Sequence, residues 1–380
     1  MIPDSATATN QPITIVVPVF RNLQVTRDCL DSLITSTLPE NVSIAIINDS
    51  SPEEELSTFC RELAARVGFR LILNENNLGF VKTANRGFAL DHVADILLLN
   101  SDTVVSNDWL QRLHSCAYKE PNIGTVTPFS NNGTICSYPV FPVSNALPTH
   151  WSAAELDNAF QLANAGGYLE IPTAVGFCMY IKRSCLDETG PFDEANFGLG
   201  YGEECDFSLR ASALGWKHVV AADVFVYHEG GASFASESTE RKHHAEKIMS
   251  RLHPGYHQLI SDFLQADPLY DFRKNVDAVR LRNKPADSVA ILQEHSHYTR
   301  TILERTAEYH RLIQNLDQIL VDCRLQFADT DRALSEAQRV VDNLNHDIKN
   351  ANIYVQQLKA HIKNMEQSRS WRYTAWLRRK

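Results

Sequence analysis

No apolar run in this chain of 380 residues approaches the length needed to span a bilayer. The polar opening MIPDSATATNQP lacks the charged-then-apolar layout of a secretory signal. Positive charge is also short: 36 Lys and Arg against 46 Asp and Glu give a formal charge of -10, which argues against broad binding to nucleic acid. Cysteine is sparse and unpaired in pattern. The eight lie at Cys29, Cys60, Cys116, Cys136, Cys178, Cys185, Cys205 and Cys323 with no CxxC, which suits reduced, mostly buried thiols in a cytosol better than a disulfide or zinc framework. No GxGxxG follows the first predicted strand and no GxxxxGK[ST] occurs, so neither glycine-rich phosphate cradle is present.

What is present centres on Asp95–Ile96–Leu97–Leu98–Leu99–Asn100–Ser101–Asp102. Four apolar residues between polar ones predict a strand buried on both faces, as in the middle of a parallel sheet. Ligands of open α/β sheets bind beyond the carboxyl ends of such strands. There the chain carries an amide, a hydroxyl and a carboxylate; by itself this stretch reads as turn residues, but Asp102 is also placed to ligate a hard divalent cation. Ile13–Val17 predicts a first strand stopped by Pro18, Val42–Ile47 a second ending in Asn48–Asp49–Ser50, and Arg70–Leu73 a third. Ser51, Pro52 and Glu54 read as the cap, first turn and capping-box acid of a helix. Alternating strand and helix predict an α/β fold with a mostly parallel sheet and helices on both faces. Further strands are expected over Gly124–Pro128, Thr173–Ile181 and Val224–Tyr227, and residues 129–150 form a long irregular loop of the kind that shapes a substrate site.

Two later stretches bear chemistry. Gly198–Gly202 brings three glycines to Glu203, Glu204 and Asp206 at a predicted helix start. One acid there would only complement the helix dipole, whereas three beside a flexible approach point to a catalytic base and its neighbours. His228, at a strand end before Glu229–Gly230–Gly231, reads either as a polar cap or as a metal ligand on a closing loop.

Taken together, Val17–Phe20, Ile47–Ser51, Asn76–Phe80, Leu99–Asp102, Gly202–Asp206 and Tyr227–Gly230 resemble, in order, the motifs of family 2 glycosyltransferases with the GT-A fold. The likeness is closer to enzymes of bacterial surface-polysaccharide (O-antigen) assembly, rhamnosyltransferases included, than to processive synthases, whose QxxRW is missing. The resemblance implies an inverting transferase that uses Mn2+ or Mg2+, a UDP- or dTDP-linked sugar donor, and a glycan or lipid-linked glycan acceptor. It places Pro18, Val19 and Phe20 at the nucleotide, Asp49 at the pyrimidine base, and Asn77, Gly79, Asn100 and Ser101 around the donor. Asp102, last in a DXD-like triplet that begins with Asn, and His228 would be metal ligands. Glu204 falls at the general base, one methylene longer than the family's aspartate, which leaves Glu203 and Asp206 as substitutes. A sugar nucleotidyltransferase is disfavoured because no glycine-rich loop bearing Arg and Lys follows the first strand. A non-catalytic scaffold is disfavoured by the intact Asp102, His228 and Glu203/Glu204.

The expected organisation is a tail at 1–11, the transferase domain at 12–235, a helical extension at 236–300 broken by Pro254, Pro268 and Pro285, a coiled coil at 301–366, and a basic aromatic tail at 367–380. From Ile302 to Met365, positions alternate steps of four and three, and only Thr306 and Thr330 among them are polar. Such a seam predicts self-association through a coiled coil, about 95 Å long if unbroken. Residues 368–380 read equally as a segment lying on the inner face of the cytoplasmic membrane or as the start of a further domain.

Overall fold

A computed structural model describes residues 11–198, 200–230, 238–297 and 331–367, together with 300, 311, 314, 315 and 318. Residues 1–10, most of the first half of the expected coil, Cys323 and residues 368–380 lie outside the described residues. The chain divides into two compact units, Met1–Ile291 and Leu292–Lys380.

The first unit is built on strands β1 (Ile13–Val19), β2 (Val42–Asn48), β3 (Arg70–Leu73), β4 (Asp95–Leu99), β5 (Thr103–Val104), β6 (Ile123–Phe129), β7 (Tyr168–Ile171), β8 (Cys178–Ile181), β9 (Lys217–Phe225) and β10 (Tyr227–His228). Eight form one sheet in the order β3-β2-β1-β4-β8-β6-β9-β7, while β10 and β5 form a separate ribbon. Pairs β3–β2, β2–β1, β1–β4 and β6–β9 are parallel, and β8 and β7 run antiparallel to their neighbours. The predicted α/β class and mostly parallel sheet are therefore present, with β8 inserted against the grain at the centre.

In β4, all four apolar residues have no exposed surface. Leu97 and Leu99 join a core cluster with helices Leu23–Thr35, Glu54–Val67 and Trp109–Ala117. Ile96 and Leu98 join a second cluster with helices Phe80–Phe88 and Glu203–Ala213. The two-residue period of a strand sends alternate side chains to opposite faces, so an unbroken apolar run requires cover on both. Burying each such side chain contributes roughly 1.5–3 kcal/mol.

Several boundaries depart from expectation for identifiable reasons. β1 passes through Pro18 to Val19. The amide of Asp49 donates to Val19 O and that of Ile13 to Asn41 O, so odd-numbered residues of β1 bond to the β2 side. Pro18 turns its nitrogen to the other side, where pairing with β4 ends at Val16, and no ladder bond is lost. The strand expected over Thr173–Ile181 forms only at its second half. Ala174 and Val175 instead donate their amides to Ser208 Oγ and Thr127 Oγ1, and side-chain partners replace a neighbouring strand. The stretch Val224–Tyr227 is split between the end of β9 and the ribbon strand β10. The capping box at Ser51 does not form. The helix starts at Glu54 without a side-chain cap, and Glu53 accepts instead from the amides of Asn22 and Leu23 at the neighbouring helix start.

After the ribbon come helices Ser238–Leu252, Tyr256–Ala266 and Tyr270–Asn283, with Pro254 and Pro268 in the gaps between them and Pro285 just past the last. The second unit contains the helix Asp331–Gln367. Its seam positions Leu344, Ile348 and Ala351 are half-buried, and Val355 and Leu358 are buried.

Candidate active site

Because β1, β2 and β4 are parallel neighbours, their carboxyl ends deliver Phe20, Asp49 and Asn100 to one edge of the sheet. Beyond β4 the chain turns through Asn100–Asp102, with Thr103 Oγ1 donating to Asn100 O at 2.8 Å, and enters β5. β5 pairs antiparallel with β10, placing Thr103 opposite His228, while the Glu229 amide donates to Asp102 O at 2.9 Å. This ribbon brings two residues remote in sequence together: His228 Nε2 lies 3.3 Å from Asp102 Oδ1, with both side chains largely buried.

The other imidazole nitrogen settles the chemistry of this pair. Nδ1 donates to the carbonyl of Asn132 at 2.7 Å, which leaves Nε2 as the atom facing the carboxylate. Burial opposes charge on His228, but the hydrogen bond and charge of Asp102 outweigh it and raise its pKa above the ordinary value. The ring of Phe177 stacks on the imidazole at 5.1 Å with planes 15° apart. A carboxylate oxygen and an imidazole nitrogen 3.3 Å apart at one sheet edge are donor types that fit a divalent cation. Among the described residues no cluster of three His, Cys, Asp or Glu could hold a metal. Such an ion would take its remaining ligands from water and substrate oxygens, as Mg2+-type sites do.

The acidic motif separates into three environments. Asp206 is buried and bound on both sides, accepting from Arg210 Nε at 2.8 Å and lying 2.8 Å from His253 Nε2. It ties the start of helix Glu203–Ala213 to the segment after helix Ser238–Leu252. Glu203 is buried with one carboxyl oxygen unpartnered, and its pKa is raised by burial and by the neighbouring Glu204 charge. Glu204 also has a buried, unpartnered Oε2, and burial raises its pKa against the pull of backbone amides at the helix start. Its side chain lies over Gly176, where an added Cβ would stand 3.6–3.7 Å from the carboxyl-bearing carbons. Gly202, the residue before the helix, has φ +88°, which a glycine adopts without strain.

On the nucleotide side, Asp49 is buried and accepts from Asn74 Nδ2 (2.7 Å) and from the amides of Leu78 (2.8 Å) and Gly79 (2.9 Å), so its carboxylate holds the Asn77–Gly79 turn. Asn77 Oδ1 also accepts from the Gly79 amide, at 2.9 Å. A Cβ at Gly79 would lie 3.0 Å from Gly198 O, so this turn touches the approach to the acidic motif. Asn100 donates its amide to Phe177 O at 2.9 Å, and its buried Oδ1 has no partner. Pro18, Phe20, Ser101 and Asp102 are part-exposed around this edge. Val19 is a core residue, its side chain in the hydrophobic cluster and its carbonyl engaged by Asp49, so it supports the site from beneath.

Sequence reasoning missed Gly176, Phe177, Asn131 and Asn132. The loop Gly176–Phe177 touches Glu204, His228 and Asn100 at once, joining three separate motifs. Its apolar sequence signalled only a strand. The asparagines sit in the loop marked as site-shaping, where Asn-Asn-Gly reads as an ordinary turn.

The profile of the family described as "Glycosyltransferase like family 2" matches residues 10–246. An uncharacterized protein, y4gI, of Sinorhizobium fredii is 22% identical over 241 residues, which is 60% of this chain and 26% of that protein. Glycosyltransferase GlyA of Streptococcus pneumoniae is 28% identical over 102 residues, 27% of this chain and 14% of the relative. This chain thus spans a minor part of both. Glycosyltransferase AglE of Haloferax volcanii is 19% identical over 226 residues, covering 58% and 68% of the two chains. Among solved structures, the mannosyltransferase PcManGT of Pyrobaculum calidifontis, in complex with GDP-Man and Mn2+, superposes with a TM-score of 0.47 at 14% identity over 78% of this chain and 82% of that one. GalNAc-T7 with UDP, GalNAc and Mn2+ gives a TM-score of 0.49 at 14% identity, covering 74% and 57%.

Proposed function

The chain belongs to the glycosyltransferase-like family 2, and from that premise we propose that it is an inverting, metal-dependent transferase of a hexosyl or deoxyhexosyl group. The donor is a nucleoside-diphosphate sugar, UDP- or dTDP-linked, and the acceptor is a hydroxyl of a glycan or lipid-linked glycan. What supports this reading is the loop Gly176–Phe177, which meets Glu204 on one side and His228 on the other, beside the Asp102 Oδ1–His228 Nε2 pair and the buried, unpartnered Oε2 of Glu204.

In this reading Asp102 and His228 hold Mn2+ or Mg2+. The bound cation supplies neutralisation of the negative charge that develops on the leaving diphosphate. Asn100 Oδ1, buried without a protein partner, accepts a hydrogen bond from the donor, and the Asp49-held turn at Asn77–Gly79 walls the nucleotide. Glu204 takes the proton from the acceptor hydroxyl as that oxygen bonds to the anomeric carbon and the carbon–diphosphate bond breaks. A raised pKa suits this task, since a base poised nearer neutrality transfers protons more effectively. Asp206, engaged by Arg210 and His253, is left to anchor the helix.

The six-motif resemblance supports a role in bacterial surface-polysaccharide assembly. The regular seam from 302 to 365 supports self-association through a coiled coil. No helix among the described residues is long and apolar enough to cross a membrane. A peripheral contact through 368–380 is the reading that suits a lipid-linked acceptor. The test is a screen of UDP-, dTDP- and GDP-sugars for hydrolysis and transfer with Mn2+, with and without EDTA. One donor should be consumed only with metal, and turnover of none, or turnover indifferent to chelator, would refute the proposal.

A further inference from the structure

We propose that Asn131 is a positioning residue for the metal site, its carboxamide serving as the missing third strand that fixes His228. This inference rests on the reading of Asp102 and His228 as metal ligands.

The argument starts from the ribbon. The pair His228–Thr103 is closed by the Glu229 amide bonding to Asp102 O, the pattern of a non-hydrogen-bonded antiparallel pair. His228 therefore turns its own amide and carbonyl away from β5. A two-stranded ribbon is marginal by itself, and β10 has only two residues. Both outward groups are taken by Asn131. Its Oδ1 accepts from the His228 amide at 2.8 Å, and its Nδ2 donates to His228 O at 2.9 Å. The opposite amide orientation would set donor against donor and acceptor against acceptor, so the network fixes it.

Asn131 is itself 3% exposed and locked. Nδ2 donates also to Asn145 O at 3.0 Å, and Asn131 O accepts from the amide of Asn145. The next residue supplies the carbonyl that binds His228 Nδ1. One turn of the loop thus sets the backbone, the tautomer and the outward edge of the proposed ligand. At Gly230, φ is +70° and a Cβ would fall 1.7 Å from Asn132 Nδ2, so the chain after His228 is pressed against the same turn. The turn is backed by Tyr138, whose amide bonds to Ser130 O and whose hydroxyl meets Asp277 and the fully buried Arg280 on helix Tyr270–Asn283. The helical extension thereby supports the metal site from behind.

Outer-shell partners of metal ligands typically govern affinity by about ten- to a hundredfold. The experiment titrates Mn2+ by electron paramagnetic resonance, in the presence of UDP, dTDP or GDP, into the full chain and its Asn131→Ala, Asn131→Asp and Asp102→Ala variants. Asn131→Ala should bind nucleotide-dependent Mn2+ about ten- to a hundredfold more weakly. Asn131→Asp, which keeps the acceptor for the His228 amide, should fall between it and wild type. Excess Mn2+ should restore turnover, which general unfolding would not permit. Wild-type Mn2+ affinity in a cooperatively melting Asn131→Ala overturns the proposal, and if that variant does not fold, wild-type affinity in Asn131→Asp does so. Should wild type and Asp102→Ala bind equally, the metal reading itself fails and takes this inference with it. Loss in Asp102→Ala with none in the Asn131 variants rejects the inference alone.

Discussion

Replacing Glu204 by glutamine separates catalysis from stability in a way only a buried base would produce. The carboxyl lies over Gly176 with Oε2 buried and unpartnered, and burial raises its pKa above the ordinary 4.5. Glutamine keeps the shape and cannot accept the acceptor proton. General-base catalysis contributes about 10²–10⁴ in rate, so Glu204→Gln should lower transfer at least about a hundredfold, or ~2.7 kcal/mol of barrier. Donor affinity should hardly change, since the base proposed at Glu204 would act on the other substrate. The effect on stability has the opposite sign. A carboxyl whose folded pKa is raised keeps its proton when the unfolded chain has lost it, so wild-type stability falls as pH rises from about 4.5 through the folded pKa. Glu203 contributes with the same sign and remains in the variant. Glu204→Gln should therefore melt at higher temperature than wild type above that window and lose the advantage below it. Transfer is followed with the donor found in the screen, and melting by circular dichroism from pH 4 to 8. Near wild-type transfer in Glu204→Gln, with Asp206→Asn dead, would move the base to Asp206 and refute this reasoning.

Three further outcomes follow from the same structure. Asp102→Ala should abolish turnover and metal-dependent donor binding while the fold survives, checked by calorimetric donor titration with and without EDTA; wild-type donor affinity indifferent to chelator rules the role out. Asp206→Asn should retain most of the chemistry but lose stability, by about 1.5–3 kcal/mol, because charge-assisted bonds to Arg210 and His253 are weakened; denaturant melts measure it. Removing residues 301–380 leaves the Met1–Ile291 unit whole and should yield a monomer with nearly unchanged donor hydrolysis. Light scattering that finds the full chain already monomeric at micromolar concentration would sink the coil proposal.

The central strand and the identity of its acids were legible in the sequence because both follow from local order. A stiff apolar run of β-strand length needs cover on both faces, and the polar residues that end it must then lie at the sheet edge. Asp49, Asn100 and Asp102 were visible on that ground, as were the acids after Gly202. The helix over Asp331–Gln367, with Val355 and Leu358 buried on its seam, likewise follows from periodicity alone. What tertiary structure decided is which groups meet. Three acids within four residues look alike as text, yet Arg210 and His253 occupy Asp206 while Glu203 and Glu204 keep unpartnered oxygens. Glu53 looks like a helix-start residue for its own helix but serves the neighbouring one. Asp102 and His228 become a pair only because β5 and β10 align antiparallel, and His228 presents Nε2 only because a loop carbonyl takes Nδ1. Hydrogen-bond partners distant along the chain depend on register and loop path, which no local pattern of residues encodes.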